Sequence, residues 1–297
     1  MSREMVWDPA ESTRVAVITS GSDPADVLMA PVVADAMSIH DGRHEWEPPV
    51  LLVPSRGAMP ASVTAELRRL ELEHIVVLGG TNKVSSATEQ ALRSYAPTVE
   101  RIAGADRYAT AALVSQRFAS NGTVFLLSGE VPQEAEAGLG TALQNGATVL
   151  LSTRDSLPEA TRAELVRLDP QRVVLIGNTG VLSNTVLSQV RRTLSGGAVL
   201  QRIGDADRYA TNVAALLTMG WEPINVVLVN GESWQGALSA VPYTEAQDSE
   251  YNVLLTRKAC VPGVVLDYIV EHRMQDNVQV IGGTGTVSAA AADLTRC

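Results

Sequence analysis

Short runs of apolar, β-branched residues alternate along the chain with longer segments whose apolar positions recur at helical spacing. The first run, 15–19, ends at a Ser-Gly-Ser turn, and the next segment, 24–37, has proline where a helix would begin. The alternation continues with predicted strands at 50–53 and 74–78 and predicted helices at 62–71 and 85–95. Because strands that are apolar on both faces need cover on both faces, the pattern predicts a parallel sheet between layers of helices.

This β-α-β-α-β-α order occurs three times. Strands of the type Val-Leu-Leu begin at residues 50, 149 and 253, and turns of the type Gly-x-Thr begin at residues 79, 177 and 282. The period of about 100 residues is too long for a solenoid repeat, so the repeating units are domains. The sequence therefore predicts an α/β protein of three modules, and we expect the modules to pack against one another because no linker-like segment separates them.

A ten-residue segment is written twice, as Arg-Ile-Ala-Gly-Ala-Asp-Arg-Tyr-Ala-Thr at 101–110 and as Arg-Ile-Gly-Asp-Ala-Asp-Arg-Tyr-Ala-Thr at 202–211. We call it the opening motif. Asp106 and Asp207 precede apolar segments at the position of a helix N-cap, where a carboxylate accepts from free amides and complements the helix dipole.

The other side chains of the opening motif allow two interpretations. In the favoured one, Arg101 and Arg202 pair with the capping aspartates and the tyrosines Tyr108 and Tyr209 pack at the edge of the core, so that the motif is a structural clasp between modules. In the second, arginine and tyrosine are exposed and recognise a glycan or its phosphates.

The Gly-x-Thr turns stand between a strand and a helix, where nucleotide-binding α/β folds hold phosphates. Their spacing is neither that of the dinucleotide fingerprint nor that of the P-loop. We favour glycines that allow a tight turn over phosphate binding, and we predict no cofactor.

The sequence offers no catalytic constellation. The four histidines do not recur between modules, and no nucleophile elbow, His-Glu-x-x-His pair or metal-spaced Cys/His cluster is present. Glu134 and Glu136 are interpreted as part of a solvated face. We therefore predict a protein that is not an enzyme, with no catalytic residue and no metal site.

Charge and composition narrow the choice of partners. The formal net charge of −10 argues against a nucleic-acid partner, whose affinity would come from clustered Lys and Arg. No apolar stretch matches a signal-peptide core or a membrane span, which predicts no membrane insertion. Cys260 and Cys297 are too few for a disulfide framework, and two free thiols are favoured over a single bridge.

The opening motif, the Val-Leu-Leu strands and the closing Gly-Gly-Thr segment at 282–284 together resemble the cell wall-binding repeat 2 modules of Gram-positive surface proteins. The resemblance covers nearly the whole chain and implies modules at 1–100, 101–200 and 201–297. It also implies Rossmann-like units in a pseudo-threefold arrangement. The first module departs from the family in having no opening motif, and the family's Asp-Ala-Leu is Asp-Val-Leu at 26–28.

The resemblance implies attachment to an anionic cell-wall polymer in grooves between modules. With a net charge of −10, such binding needs a locally basic groove or a divalent cation bridge. The arginines of the opening motif are the candidates for this groove, and the full set of candidate ligand-binding residues is Arg101, Asp106, Arg107, Tyr108, Thr110, Arg202, Asp207, Arg208, Tyr209 and Thr211.

The chain shows neither the leader nor the effector domain that is usual in this family. A protein of a phage virion surface, with virion proteins as further partners, would reconcile a leaderless chain with a wall ligand, so cell wall and virion surface are both expected locations. The alternative is a structural decoration or assembly protein whose modules bind only other proteins. A weaker alternative is an intracellular nucleotide-binding protein.

Overall fold

The computed structural model describes residues 14–21, 24–40, 45–46, 48–194, 196–219, 224–233, 240 and 251–297. The chain divides into two compact units, Met1–Ala119 and Ser120–Cys297. None of the helices described is long and apolar enough to span a membrane.

The first unit contains one parallel sheet. Its elements are β1 (Val15–Ser20), α1 (Pro24–Ala36), β2 (Ile39–His40), β3 (Glu45–Trp46), β4 (Val50–Val53), α2 (Ala61–Leu70), β5 (His74–Leu78), α3 (Ser86–Leu92), β6 (Thr98–Ile102) and α4 (Arg107–Ser115). The strand order is β4-β1-β5-β6, with every neighbouring pair parallel, and β2 and β3 form a small antiparallel pair. The predicted alternation of strands and helices is confirmed.

The second unit contains two further parallel sheets. Its elements are β7 (Thr123–Ser128), α5 (Pro132–Gln144), β8 (Thr148–Ser152), α6 (Glu159–Leu168), β9 (Arg172–Ile176), α7 (Asn184–Thr193), β10 (Val199–Ile203), α8 (Arg208–Met219), β11 (Asn225–Asn230), β12 (Tyr251–Thr256), α9 (Gly263–Glu271), β13 (Val278–Val280) and α10 (Ala289–Ala292). The orders are β10-β9-β7-β8 and β12-β11-β13. The prediction of three parallel-sheet α/β modules is therefore confirmed, and their pseudo-threefold arrangement stays a prediction.

Aliphatic side chains fill the cores, as the near absence of phenylalanine from the sequence requires. The central strands of the first two sheets are buried on both faces, and residues 75–78 and 173–176 are 0% exposed. Leu and Val from the flanking helices complete each core, for example Leu67 and Leu92 in the first module and Leu165 and Val190 in the second. Burial on both faces explains why these strands read as continuous apolar runs.

The opening motif contributes the fourth strand of the preceding sheet. Its first copy supplies the end of β6, which pairs with β5, and its second copy supplies the end of β10, which pairs with β9. The module boundary predicted at residue 100 therefore falls inside β6, and the one at residue 200 falls inside β10. The motif closes one sheet before the helix that follows it begins the next repeat.

The third sheet has three strands in the part of the chain that the structure describes. Residues 295–297 instead lie against Val261, whose amide donates to the Thr295 carbonyl at 2.8 Å and whose carbonyl accepts from the Cys297 amide at 3.0 Å. This contact brings Cys297 beside Cys260, and the two form a disulfide with Cα atoms 5.0 Å apart. The expectation of two free thiols was wrong, because pairing of the two chain segments cannot be read from cysteine spacing.

Candidate functional site

The first opening motif is fastened by Arg101 to the glycine turn after β5. Its guanidinium donates to the carbonyls of Gly79 and Val84 and pairs with Glu89, with Nη2 2.7 Å from Oε2 of that carboxylate. The predicted partner, Asp106, is not the carboxylate that it contacts. The correction has a geometric reason: β6 runs beside β5, so the Arg101 side chain meets the turn and helix α3 that follow β5.

Arg202 fastens the second copy to the equivalent backbone carbonyls, but among the described residues it has no carboxylate partner like Glu89. Arg202 donates to the carbonyl of Gly177 at 2.9 Å and to that of Ser183 at 3.4 Å, and not to Asp207 as predicted. Leu187 stands four residues after the capping Ser183, where Glu89 stands in the first copy after Ser85. Burial lowers the pKa of the Arg202 guanidinium.

The capping role predicted for the two aspartates is confirmed. Asp106 Oδ1 accepts from the Ala109 amide at 2.8 Å, and Asp207 Oδ1 accepts from the amides of Tyr209 and Ala210 at 3.0 and 2.9 Å. Both carboxylates therefore accept hydrogen bonds from amides of the first helical turn, which have no partner within the helix.

The threonines of the motif close the loop between strand and helix. Thr110 Oγ1 accepts from the Gly104 amide, and Thr211 Oγ1 accepts from the Asp205 amide, each at 3.0 Å. Thr110 is 3% exposed and Thr211 is 1% exposed, so both side chains are buried in the fold.

The glycine of the motif is at position 104 in the first copy and one place earlier, at position 204, in the second. The two glycines lie close to different parts of the backbone. A Cβ on Gly104 would lie 2.5 Å from the Ala109 backbone, whereas a Cβ on Gly204 would lie within 2.4 Å of the Gly177–Asn178 peptide. Each copy thus needs a glycine, but against a different neighbour. The glycine turns themselves are tight, with φ of +98° at Gly79 and +108° at Gly177, which confirms that these glycines allow a tight turn.

The second motif also joins the second module to the third. Arg208, at the start of α8, donates to the Gly231 carbonyl at 2.9 Å and lies 3.2 Å from Glu134 Oε1 on α5. Asn212, one turn further along α8, donates to the carbonyls of Ala137 and Val253 and accepts from the Leu255 amide at 3.0 Å. Helix α8 thereby connects α5 of one module with β12 of the next. Sequence analysis missed Asn212, whose counterpart in the first copy is Ala111.

A cleft of about 420 Å³ lies at the carboxyl ends of these strands, where the second and third modules meet. Its charged lining consists of the carboxylates Glu134, Asp207 and Glu232 and the guanidiniums of Arg208 and Arg257. Arg257 is exposed, and its guanidinium lies 5.5 Å from the centre of the Tyr209 ring. Tyr209 is 5% exposed, and burial raises the pKa of its hydroxyl.

Arg257 was also missed by sequence analysis. It directly follows β12, and a cation placed just past the carboxyl end of a parallel strand is the signal that would have found it.

The interpretation of Glu134 and Glu136 as a solvated face was wrong for Glu136, which is buried, whereas Glu134 is half-buried at the cleft. Glu136 is 5% exposed on α5, and its Oε2 has no hydrogen-bond partner among the residues that the structure describes. Burial raises the pKa of the Glu136 carboxyl to about 8, against the opposing influence of Arg208. Burial also raises the pKa of Glu134, although Arg208 lowers it in part. Packing of α5 against α8 buries Glu136, which the sequence pattern had placed on a solvated face.

A smaller cleft of about 230 Å³ lies at the equivalent place in the first unit. Its charged residues are Lys83, Asp106 and Arg107, with Thr110 and the turn residue Gly80 beside them. Lys83 corresponds to Val181 in the larger cleft, so the smaller cleft has the more positive lining.

The predicted site residues therefore separate into two groups. Residues that line a cleft are Asp106, Arg107 and Thr110 in the first unit and Asp207, Arg208 and Tyr209 in the second. Arg101, Arg202 and Thr211 are held inside the fold by backbone contacts, and Tyr108 is half-buried on α4. The chemistry available at both clefts is ion pairing and hydrogen bonding. In the described ranges no group of three or more His, Cys, Asp or Glu is placed to hold a metal ion.

Three parallel-sheet modules, two of them completed by the same motif, define a class of α/β repeat proteins, and each copy of the motif lines a polar cleft. The chain belongs to the cell wall binding domain 2 (CWB2) family, whose model matches residues 101–187 and 202–292.

Two curated relatives come from Bacillus subtilis (strain 168). The N-acetylmuramoyl-L-alanine amidase LytC is 26% identical over 280 residues, which is 94% of this chain and 52% of LytC. The Amidase enhancer is 23% identical over 281 residues, which is 94% of this chain and 38% of the relative. The chain thus spans about half of the first relative and less of the second.

Two solved structures share the fold. Cwp6 from Clostridium difficile superposes with a TM-score of 0.78 at 21% identity, over 96% of this chain and 44% of that one. Cwp8 from the same organism gives a TM-score of 0.76 at 20% identity, over 94% and 46%. The resemblance to wall-binding repeats is confirmed, while these comparisons give no support to a virion protein or a decoration protein.

Proposed function

We propose that this protein attaches to the Gram-positive cell wall by binding an anionic wall polymer. The observation that carries the proposal is membership of the cell wall binding domain 2 family over two complete repeats. Its location would accordingly be the cell wall, and its partner a glycan polymer with negative charges.

The contacts that we assign to the polymer lie in the cleft between the second and third modules. Arg257 is exposed there, and none of the described residues holds its guanidinium by a hydrogen bond or an ion pair. We expect it to take a bidentate position on a phosphate or carboxylate while it stays above the Tyr209 ring. Arg208 adds positive charge beside it but is already joined to Glu134 and to the Gly231 carbonyl. In the first unit, Arg107 with Lys83 forms the corresponding cationic pair.

Local charge matters here because the protein as a whole is acidic. A net charge of −10 repels a polyanion at long range, but salt screens charges beyond roughly 8–10 Å at ionic strengths near 0.1 M. A guanidinium in direct contact with the polymer is screened much less. We therefore expect binding to persist at physiological salt and to weaken in high salt.

The disulfide between Cys260 and Cys297 is consistent with this location. Disulfides persist in oxidising surroundings such as the cell exterior and are rare in the cytosol.

The test is co-sedimentation of the full chain with purified Gram-positive cell walls, before and after chemical removal of the anionic secondary polymer. We expect most of the protein in the pellet with intact walls and most of it in the supernatant with stripped walls. Equal binding to both preparations would assign the ligand to the peptidoglycan itself and refute the polymer proposal. No binding to either would refute wall attachment.

A further inference from the structure

The turn after β11, residues 231–232, holds the loop that follows β12. The Gly231 amide donates to the Thr256 carbonyl at 2.8 Å, and Glu232 Oε2 accepts from the Lys258 amide at 3.1 Å. Arg257 lies between these two contacts. Its backbone is therefore fixed by the carbonyl before it and by the amide after it, so the turn determines from where the Arg257 side chain enters the cleft.

The second module forms the same turn at residues 129–130, directly after β7. The Gly129 amide donates to the Ser152 carbonyl at 2.8 Å, and Glu130 Oε2 accepts from the Arg154 amide at 2.7 Å. The residue between the two contacts is Thr153 here. The backbone contacts thus recur while the enclosed residue changes from threonine to arginine, which indicates that the glutamate shapes the loop and not one particular side chain.

The turn at residues 231–232 also lies against the floor of the cleft. A Cβ on Gly231 would lie 3.1 Å from Cε1 of Tyr209, and the Gly231 carbonyl accepts from Arg208 at 2.9 Å. The Arg257 guanidinium lies above the same ring, 5.5 Å from its centre. A loop held by this turn is therefore held in a fixed position relative to Tyr209, on which Arg257 lies.

We propose that Glu232 is a positioning residue for ligand binding. By holding the Lys258 amide, its carboxylate keeps the Arg257 guanidinium above the Tyr209 ring, where the guanidinium meets an anionic group of the ligand. A side chain that is already ordered loses less conformational entropy on binding, so this contact favours affinity although Glu232 has the same sign of charge as the ligand. The inference rests on the proposed function, because it deepens the assignment of Arg257 to the polymer.

The experiment compares Glu232→Gln with Glu232→Ala in the full chain, by co-sedimentation with purified cell walls at one salt concentration. Both variants remove the negative charge beside the anion, but only glutamine keeps an oxygen that can accept from the Lys258 amide. We expect Glu232→Gln to bind more tightly than the parent, because a charge of the ligand's own sign is gone. Glu232→Ala should bind about fivefold more weakly than Glu232→Gln, because the Arg257 side chain must then be ordered on binding.

A second measurement needs no cell walls. An aromatic ring shifts the NMR signals of protons near its face, so the side-chain signals of Arg257 report its position above Tyr209 in the free protein. These signals should keep their positions in Glu232→Gln and move toward those of an unstructured chain in Glu232→Ala. The matched control is Glu130→Ala, which removes the equivalent contact beside Thr153 and should change neither the wall affinity nor the Arg257 signals.

Equal wall affinity of the two Glu232 variants would overturn the inference and leave the proposed function standing, and so would unchanged Arg257 signals in Glu232→Ala. If both variants bind more weakly than the parent by the same factor, Glu232 contacts the ligand itself and is not a positioning residue. An equally large loss in Glu130→Ala would assign the effect to general weakening of the fold. If the parent protein does not sediment with walls, the proposed function fails, and the Arg257 signals alone decide whether Glu232 positions that side chain.

Discussion

The second and third modules hold the same kind of sheet by different means. The second has a fourth strand, β10, taken from the start of the next repeat and fixed by the half-buried Arg202. The third has three described strands, and a disulfide holds the segment after its last helix. The difference shows that the opening motif belongs to the sheet before it. Two copies complete two sheets, whereas in the third module a covalent link holds the residues after α10 beside Val261.

Loss of that disulfide is expected to lower the stability of the third module strongly. Replacing both cysteines, Cys260→Ser with Cys297→Ser, frees a loop whose ends are 37 residues apart, and chain entropy predicts a loss of about 3 to 4 kcal/mol in the free energy of unfolding of the third module. Denaturant unfolding with and without reductant measures it. The variant should be insensitive to reductant, and a loss below about 1 kcal/mol would show that the link contributes little.

The second prediction is that the stability of the second module, unlike that of the third, depends on the protonation of a buried carboxyl group. Glu136 is buried in the second module, whereas the third module has Leu238 at the corresponding position of its sequence. A carboxyl whose pKa is raised to about 8 in the folded state keeps its proton there after the unfolded chain has lost it, so stability falls as pH rises from about 4.5 to 8.

Glu136→Gln should abolish this fall. The variant should be more stable than the parent at pH 9 by up to about 5 kcal/mol, and the advantage should vanish at pH 4. Thermal unfolding of both proteins from pH 4 to pH 9 measures the difference, in which the other titrating groups cancel. Parallel pH profiles for the two proteins would contradict the burial of an ionisable Glu136.

A smaller loss of stability is expected when Arg202 of the second opening motif is removed. Arg202→Ala leaves the carbonyls of Gly177 and Ser183 without their donor and should cost about 2 kcal/mol. Arg202→Lys should recover only part of this, because one ammonium cannot match the forked geometry. Hydrogen exchange should show the loss at β10 and β9 first, and unchanged protection there would argue against a clasp. Arg162→Ala, on the solvent side of α6, is the matched control and should leave stability unchanged.

Much of this architecture follows from the sequence because its determinants are local. Strands, helices, glycine turns and capping aspartates depend on residues within a few positions of one another, as at Asp106 and Ala109. The partners of Arg101 and Arg202 depend instead on which strands are neighbours in the sheet, and the strand order cannot be predicted from the motif alone. Asn212 and Glu136 derive their roles from the packing of α8 on α5, and the disulfide from the path of residues 295–297. In each case the missing information is a contact between distant parts of the chain.

The central claim is that the strand arginines of the motif, Arg101 and Arg202, fasten that strand to the sheet it completes, while exposed Arg257 is the residue proposed to contact the wall polymer. The most direct measurement is the dissociation constant for purified walls of Arg257→Ala beside Arg162→Ala, which remove the same charge inside and outside the cleft. The account predicts binding at least tenfold weaker for Arg257→Ala, with stability lowered by no more than about 1 kcal/mol, and parental affinity for Arg162→Ala. Equal affinity of the two variants would contradict it.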